Sequence, residues 1–272
     1  MKRKKLTDAE VARYWNKNAA SWTEQVRKGW DAYREYFNNP FFLKFIGNLK
    51  GKRVLDAGCG EGHNTRILAK RGAKVLGIDI SKNMIKAARD EERRDPLGIQ
   101  YRVASFSEMS FISANSIDAI VSFMALMDGP DYQGAIKEFY RILKKNGDLY
   151  YSITHPCFLT KGMGWITDER GECIAYKISD YFDAEPIVDH WKFSQGPAPE
   201  SVEPFAIPSY YRTLTTYLNV LIDNGFTIRR ISEPRPTEEM CRKHEWLRRW
   251  RQHSAIFLYV HAAKLHQTRG QA

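Results

Sequence analysis

Val54-Leu55-Asp56-Ala57-Gly58-Cys59-Gly60-Glu61-Gly62 decides how the chain is read. An apolar run of strand character passes straight into glycines at alternate positions, and a helical pattern follows at once. Glycine removes the Cβ that would keep a ligand off the backbone, and the first turn of the next helix presents N–H groups without intrahelical partners. A polar ligand is expected on this turn. Two nucleotide-binding alternatives fail at single positions. A dinucleotide fingerprint needs a glycine where this chain has His63, which disfavours close packing of helix on strand at a pyrophosphate. A P-loop needs Gly-Lys-Ser or Gly-Lys-Thr, and neither follows the turn.

The next strand candidate, Lys74-Val75-Leu76-Gly77-Ile78, ends at Asp79. An acid about 20 residues beyond a glycine turn and at the tip of a second strand can accept hydrogen bonds from both hydroxyls of a ribose. Turn and acid together select a nucleoside ligand. Outward from this pair, short apolar runs alternate with helical periodicity, with strands expected at 53–57, 74–78, 100–104, 117–122 and 148–153 and helices at 64–71, 82–93 and 132–143. Ser81 is a good N-cap for the second helix. Lys144-Lys145-Asn146-Gly147 ends the third, its cations against the dipole's negative end and Gly147 able to take a left-handed cap. The alternation is that of a doubly wound α/β fold, a parallel sheet covered by helices on both faces.

Residues 1–49 are expected to form an N-terminal helical lid across the sheet's open edge, carrying rings such as Tyr14, Trp15, Trp22 and Trp30. Residues 50–155 make the core, and 156–211, rich in proline, glycine and aromatics without periodicity, read as an inserted cap after the fifth strand. Residues 212–272 return to the sheet, with a helix at 213–224, strands at 226–232 and 255–262, and a charged helix at 238–251 between them.

The glycine turn resembles motif I of the class I S-adenosylmethionine-dependent methyltransferases, and Gly77-Ile78-Asp79-Ile80-Ser81 is similar to the ribose-binding motif that follows it. Ser116-Ile117-Asp118-Ala119-Ile120-Val121-Ser122 and Leu143-Lys144-Lys145-Asn146-Gly147-Asp148-Leu149 resemble the later strand motifs, so the likeness covers 49–153. It implies a Rossmann-like sheet of seven strands, mostly parallel with the last antiparallel, and a cofactor, S-adenosylmethionine, across the carboxyl ends of the early strands. Carried over by position, it assigns the methionine part to Gly58, Gly60 and Gly62, with Cys59 kept small for close approach and Asp56 reaching the amino group. Asp79 would hold the ribose. Ile80, Ser105 and Phe106 would flank the adenine, although the family commonly has an Asp where this chain has Ser105. Phe123, with Met124 and Ala125, would face the sulfonium.

Methyl transfer from a sulfonium is an in-line displacement that asks for alignment and exclusion of water, with a base needed only for a protic acceptor atom. His155, just past the fifth strand, is the leading base candidate, against the alternative that it anchors the chain before Pro156. The acceptor is expected to be a small molecule seated among cap aromatics, with Tyr14, Trp15, His190, Trp191 and Tyr210 as candidate contacts. An RNA or protein acceptor is the alternative, since the net charge is +10 and Arg242, Lys243, Arg248, Arg249 and Arg251 cluster. A binding protein without turnover is the third reading. Lys and Arg are otherwise spread along the chain, which favours a solvated basic face over a nucleic-acid groove.

Composition fits these readings. The 272 residues, 43% hydrophobic and 27% charged, can build one large globular core and exclude a disordered or fibrous chain. No apolar run approaches the roughly 20 residues of a membrane helix, and the basic start, Met1-Lys2-Arg3-Lys4-Lys5, is not followed by a signal-type apolar stretch. A cytoplasmic protein with no membrane contact is expected. Cys59, Cys157, Cys173 and Cys241 lack the paired spacing of a zinc site, so reduced thiols and no metal are expected.

Overall fold

At the centre of the sheet, β1 (Arg53–Ala57) pairs in parallel with β2 (Lys74–Asp79) on one side and with β4 (Ile117–Phe123) on the other. The computed structural model describes residues 6–193 and 203–265. The basic run 1–5 lies outside the described residues. β3 (Gln100–Val103) closes one edge beside β2, and β5 (Leu143–Thr154) runs parallel to β4. The other edge is built by β10 (Thr227–Ser232) and β11 (Phe257–Lys264), with β11 antiparallel to both β5 and β10. The sheet therefore reads β3-β2-β1-β4-β5-β11-β10, seven strands with one antiparallel, as expected.

Both faces of the sheet are buried, which is why its central strands are nearly continuous in apolar residues. Val54, Val75 and Val121 face one core with α3 (His63–Lys70) and α4 (Lys82–Arg94), whereas Leu55, Ile78 and Ile120 face another with α5 (Tyr132–Ile142) and α6 (Leu214–Asp223). Ser81 caps α4 as expected, accepting from the Met84 amide at 3.2 Å. At the end of α5 the left-handed residue is Asn146 (φ 60°), not Gly147. β5 starts at once at Leu143, and two steps along β4 from Ile117 to Ala119 match five along β5 from Leu143 to Asp148. The excess forms a bulge, which hid five residues of strand from a reading based on periodicity.

The N-terminal helices do not lie across an open edge. α1 (Asp8–Arg27) starts with a Thr7/Glu10 capping box and rests on α4, where the Asn16 side-chain oxygen accepts from Ser81 Oγ at 2.9 Å. α2 (Asn39–Ile46) packs on the sheet's face, with Phe42 4.9 Å from both Phe123 and Tyr259. Phe42, Leu43, Phe45 and Ile46 are all buried there, since an edge would have left half of that apolar surface in water.

The cap is not irregular. It holds two antiparallel ribbons, β6 (Gly164–Thr167) with β7 (Cys173–Lys177) and β8 (Ile187–Trp191) with β9 (Phe205–Ser209). Strands of four or five residues, interrupted by polar positions facing a cleft, leave too few alternations to read. The charged helix expected at 238–251 is two, α7 (Glu238–Lys243) and α8 (Leu247–His253). Between them Trp246 packs edge-on against Tyr33 at 4.5 Å, a tertiary contact that helical periodicity does not contain. Among the described residues no helix is long and apolar enough to cross a membrane.

Candidate functional site

The carboxyl ends of β1 and β2 meet at the glycine turn. The Gly58 and Cys59 amides both donate to the Ile78 carbonyl at 2.9 Å, folding the turn over β2. Gly58 has φ 79°, and a Cβ there would run into the Cβ of Ala125. The turn therefore brings the loop after β4 against the tip of β1. Asp79 accepts from the Gly60 amide at 2.9 Å through one oxygen and from the Ser81 amide at 2.8 Å through the other. Asp56 accepts from Thr65 Oγ1 at 2.7 Å through Oδ2, while its Oδ1 is buried without a partner.

These carboxylates are out of balance with the cations around them. Burial pushes the Asp56 carboxyl up to about 7, with Thr65 opposing and Asp79 and Glu61 adding. It pushes Asp79 up to about 6, opposed by its two amide donors. Glu61 is also raised by burial despite the Arg34 guanidinium 3.5 Å away. A positively charged ligand with donor groups suits such a site, because it would favour the ionised carboxylates and satisfy Asp56 Oδ1.

The turn opens into a cleft of about 650 Å³. Asp56, Gly58, Cys59, Gly60 and Asp79 line it, as do Ile80, Ser105, Phe106, Phe123, Met124 and Ala125. Gly62 does not. It caps α3 with φ 89°, and a Cβ there would lie 2.6 Å from the Tyr101 hydroxyl, so its glycine serves packing. Ser105 shares a hydrogen bond with Ser107 at 2.9 Å, and Ser107 donates to Asp8 at 3.3 Å. Asp8, from α1, thus brings a carboxylate beside the position where Ser105 carries none, and sequence reasoning missed it.

On the acceptor side, Trp15, Trp191 and Tyr210 line the cleft. Trp22 joins them edge-on, 5.3 Å from Trp15 and 5.5 Å from Trp191. Tyr14 and His190 are not there. The α1 residues on the cleft are Asp8, Val11, Trp15 and Trp22, a helical stripe that leaves Tyr14 to one side. In β8 successive side chains alternate, so Asp189 and Trp191 reach the cleft and His190 is exposed on the opposite side. The far wall holds Trp165, Tyr176 and Trp250, with Trp165 4.5 and 4.7 Å from the other two.

His155 is the main correction. It is 2% exposed and does not line the cleft, although Thr154 and Pro156 do. Its Nδ1 accepts from the Cys157 amide at 3.2 Å, which leaves the proton on Nε2 to donate to Glu233 at 2.6 Å. Burial lowers its pKa more than Glu233 raises it. With both ring nitrogens engaged, the ring ties the exit of β5 to the end of β10 and is not free to take a substrate proton. The basic cluster changes meaning too. Arg248 pairs with Glu245 at 2.6 Å, Arg251 with Glu238 at 2.5 Å and Lys243 with Glu239 at 2.7 Å, while Arg249 lines the cleft. Local pairing of this kind fits a solvated face better than a groove for phosphates.

Strand order, the antiparallel β11, the glycine turn and the acid ending β2 define the class I Rossmann-like methyltransferase fold. The family profile described as a methyltransferase domain matches residues 55–151. The chain superimposes on an S-adenosylmethionine-dependent methyltransferase from Mesorhizobium loti with TM-score 0.67 and 26% identity, over 82% of this chain and 96% of the other. A Listeria monocytogenes chain assigned to the same enzymes gives TM-score 0.67 and 28% identity, over 84% and 97%. The ubiquinone biosynthesis O-methyltransferase of Hahella chejuensis is 35% identical over 134 residues, 47% of this chain and 56% of that protein's length. Residues 55–151 are thus a methyltransferase domain, the chain is similar over most of its length to S-adenosylmethionine-dependent methyltransferases, and its cofactor is S-adenosylmethionine.

Proposed function

We propose that this cleft transfers the methyl group of S-adenosylmethionine to a small, flat acceptor in the cytoplasm. The observation that carries the reading is the continuity of the cleft. One end is a buried, under-compensated set of carboxylates on a glycine turn, and the other is a wall of aromatic rings, with no barrier of structure between them.

The residues present fit the cofactor, because Asp56 Oδ1 is a buried acceptor in want of a donor and an ammonium supplies one. Bound there, S-adenosylmethionine supplies a methyl carbon on a good leaving group. Asp56 receives the amino group, Asp79 the ribose hydroxyls, and the backbone of Gly58 and Gly60 leaves room for the methionine chain. Ile80 and Phe106 flank the adenine, with Ser105 and Asp8 at its edge. Phe123, Met124 and Ala125 lie at the reacting end. Trp15, Trp191 and Tyr210 orient the acceptor and exclude water, which strengthens every electrostatic contact inside. The O-methyltransferase name of the Hahella relative supports an oxygen acceptor. Incubation with methyl-labelled S-adenosylmethionine and a fractionated cell extract tests the acceptor class. Label in the small-molecule fraction is expected, and label confined to RNA or protein would overturn it.

A further inference from the structure

Asp128 ends the short 3-10 turn Leu126–Asp128 beyond β4 and lines the cleft beside Met127. Its surroundings are held on three sides. The Asp128 amide donates to the Ala125 carbonyl at 3.0 Å, the Tyr210 amide donates to the Met127 carbonyl at 3.3 Å, and the Arg212 guanidinium donates to the carbonyls of Gly129 and Pro130. The carboxylate itself takes no hydrogen bond and no ion pair within 4.0 Å from any described residue. Half-buried on the cleft and three positions beyond Ala125 at the reacting end, this carboxylate is open to a donor on the ligand.

Every other carboxylate on the cleft already accepts a hydrogen bond within the protein, Asp8 from Ser107, Asp31 and Glu61 from Arg34, Asp56 from Thr65, Asp79 from Gly60 and Ser81, Asp180 from Ser179 and Asp189 from the His190 amide. Asp56 and Asp79 serve the cofactor end, burial lowers His63 to about 4, and His155 lies off the cleft, held by Cys157 and Glu233. The charged and titratable groups facing Asp128 are Arg212, Asp79, Tyr210 and Tyr217. Burial outweighs Arg212 and pushes the Asp128 carboxyl up to about 8, with Asp79 adding.

Resting on the methyltransferase reading of the cleft, we infer that Asp128 accepts the proton of the acceptor's nucleophilic hydroxyl, and that the acceptor is a flat ring bearing a phenolic or enolic O–H. The oxygen's lone pair forms the bond to the methyl carbon while the carbon–sulfur pair passes to sulfur, leaving a neutral thioether. The O–H proton moves to the Asp128 carboxylate and later to solvent. A phenol ionises near pH 10, as tyrosine does, close enough to Asp128 for transfer to be nearly balanced, which is where general-base catalysis is most effective. Trp15, Trp191 and Tyr210 provide the faces that such a ring stacks on.

The test uses the full chain saturated with S-adenosylhomocysteine, titrated with 2-naphthol and with 2-methoxynaphthalene, which keeps the shape and lacks the proton. Affinities are read at about pH 9 and about pH 6, on either side of the Asp128 titration. The wild type is expected to prefer the naphthol by about tenfold at the higher pH and to lose most of that preference at the lower. Asp128→Asn is expected to bind S-adenosylhomocysteine as the wild type does and to show no pH dependence of naphthol binding. Equal affinity of the wild type for both probes at high pH would overturn the inference. So would a loss of S-adenosylhomocysteine affinity in Asp128→Asn, since Asp128 would then read the cofactor. A wild type that does not bind S-adenosylhomocysteine overturns instead the cofactor reading on which the inference stands.

Discussion

The two ends of the cleft are built in opposite ways. The cofactor end is centred on one continuous piece of chain, β1 through the start of α4, in which Asp56, the glycine turn and Asp79 are at most 23 positions apart and tied by contacts such as the Gly60 amide to the Asp79 carboxylate, with Asp8, Ser105, Phe106 and Phe123 added around it. The acceptor end draws on α1, the loop after β4, both cap ribbons and α8, so that Trp15, Asp128, Trp191, Tyr210 and Trp250 meet only through tertiary packing. Recognition of the cofactor is therefore a property of local geometry, whereas recognition of the acceptor is a property of the assembled fold. Substitutions at the first end should act on cofactor affinity, and those at the second should leave it alone.

The sharpest separation is expected from Asp79→Ala. Losing the acceptor for two ribose hydroxyls should weaken S-adenosylhomocysteine binding by about ten- to hundredfold, at roughly 1.5 to 3 kcal/mol for hydrogen bonds to a charged group. Calorimetry checks it, and an affinity within twofold of wild type would break the assignment. Next in size, His155→Ala removes a buried ring with two partners and should cost about 1–3 kcal/mol of unfolding free energy in urea while cofactor affinity stays put. A weakened cofactor with stability unchanged would reverse that reading. Trp191→Ala should lower naphthol affinity by about fivefold at unchanged S-adenosylhomocysteine affinity, the converse of Asp79→Ala.

A fourth test reads pH dependence. The Asp56 carboxyl sits near 7 when folded and near 3.8 otherwise, so the folded protein holds a proton that the unfolded chain releases across that window. Its contribution to stability is thus complete below the lower value and lost as pH rises through the upper. Relative to Asp56→Asn, the cofactor-free wild type should melt at progressively lower temperature between about pH 4 and about pH 7, and parallel melting curves would contradict the burial of that charge.

The same contrast explains what could be read in advance. The alternation of strands and helices and the glycine turn with its acid follow from chemistry that each segment carries by itself, whereas the antiparallel β11 and the line of residues from Asp56 to Phe123 are implied by the resemblance to the methyltransferase motifs. Gly62 was misassigned because a glycine required by the Tyr101 hydroxyl, 39 positions onward in the chain, looks identical to one required by a ligand. His155 looked like a base from its topological place, but its engagement by Glu233 depends on where β10 lands. His190 and Tyr14 failed on side-chain direction, by one position in a strand and in a helix. Asp128 carried a signal that could have been used, an acid just past the fourth strand of a parallel sheet, where ligands gather. Trp165 was among the cap aromatics expected to line a pocket and does so, whereas Trp250 carried no signal, since it lies in a segment dominated by charge.

Isothermal titration of the purified protein with S-adenosylhomocysteine and, separately, with NAD tests the central claim most directly. Heat of binding with S-adenosylhomocysteine and none with NAD is expected from a glycine turn that ends in His63 and an acid that holds a ribose. Binding of NAD with silence toward S-adenosylhomocysteine would contradict the assignment of the turn and, with it, the methyltransferase account.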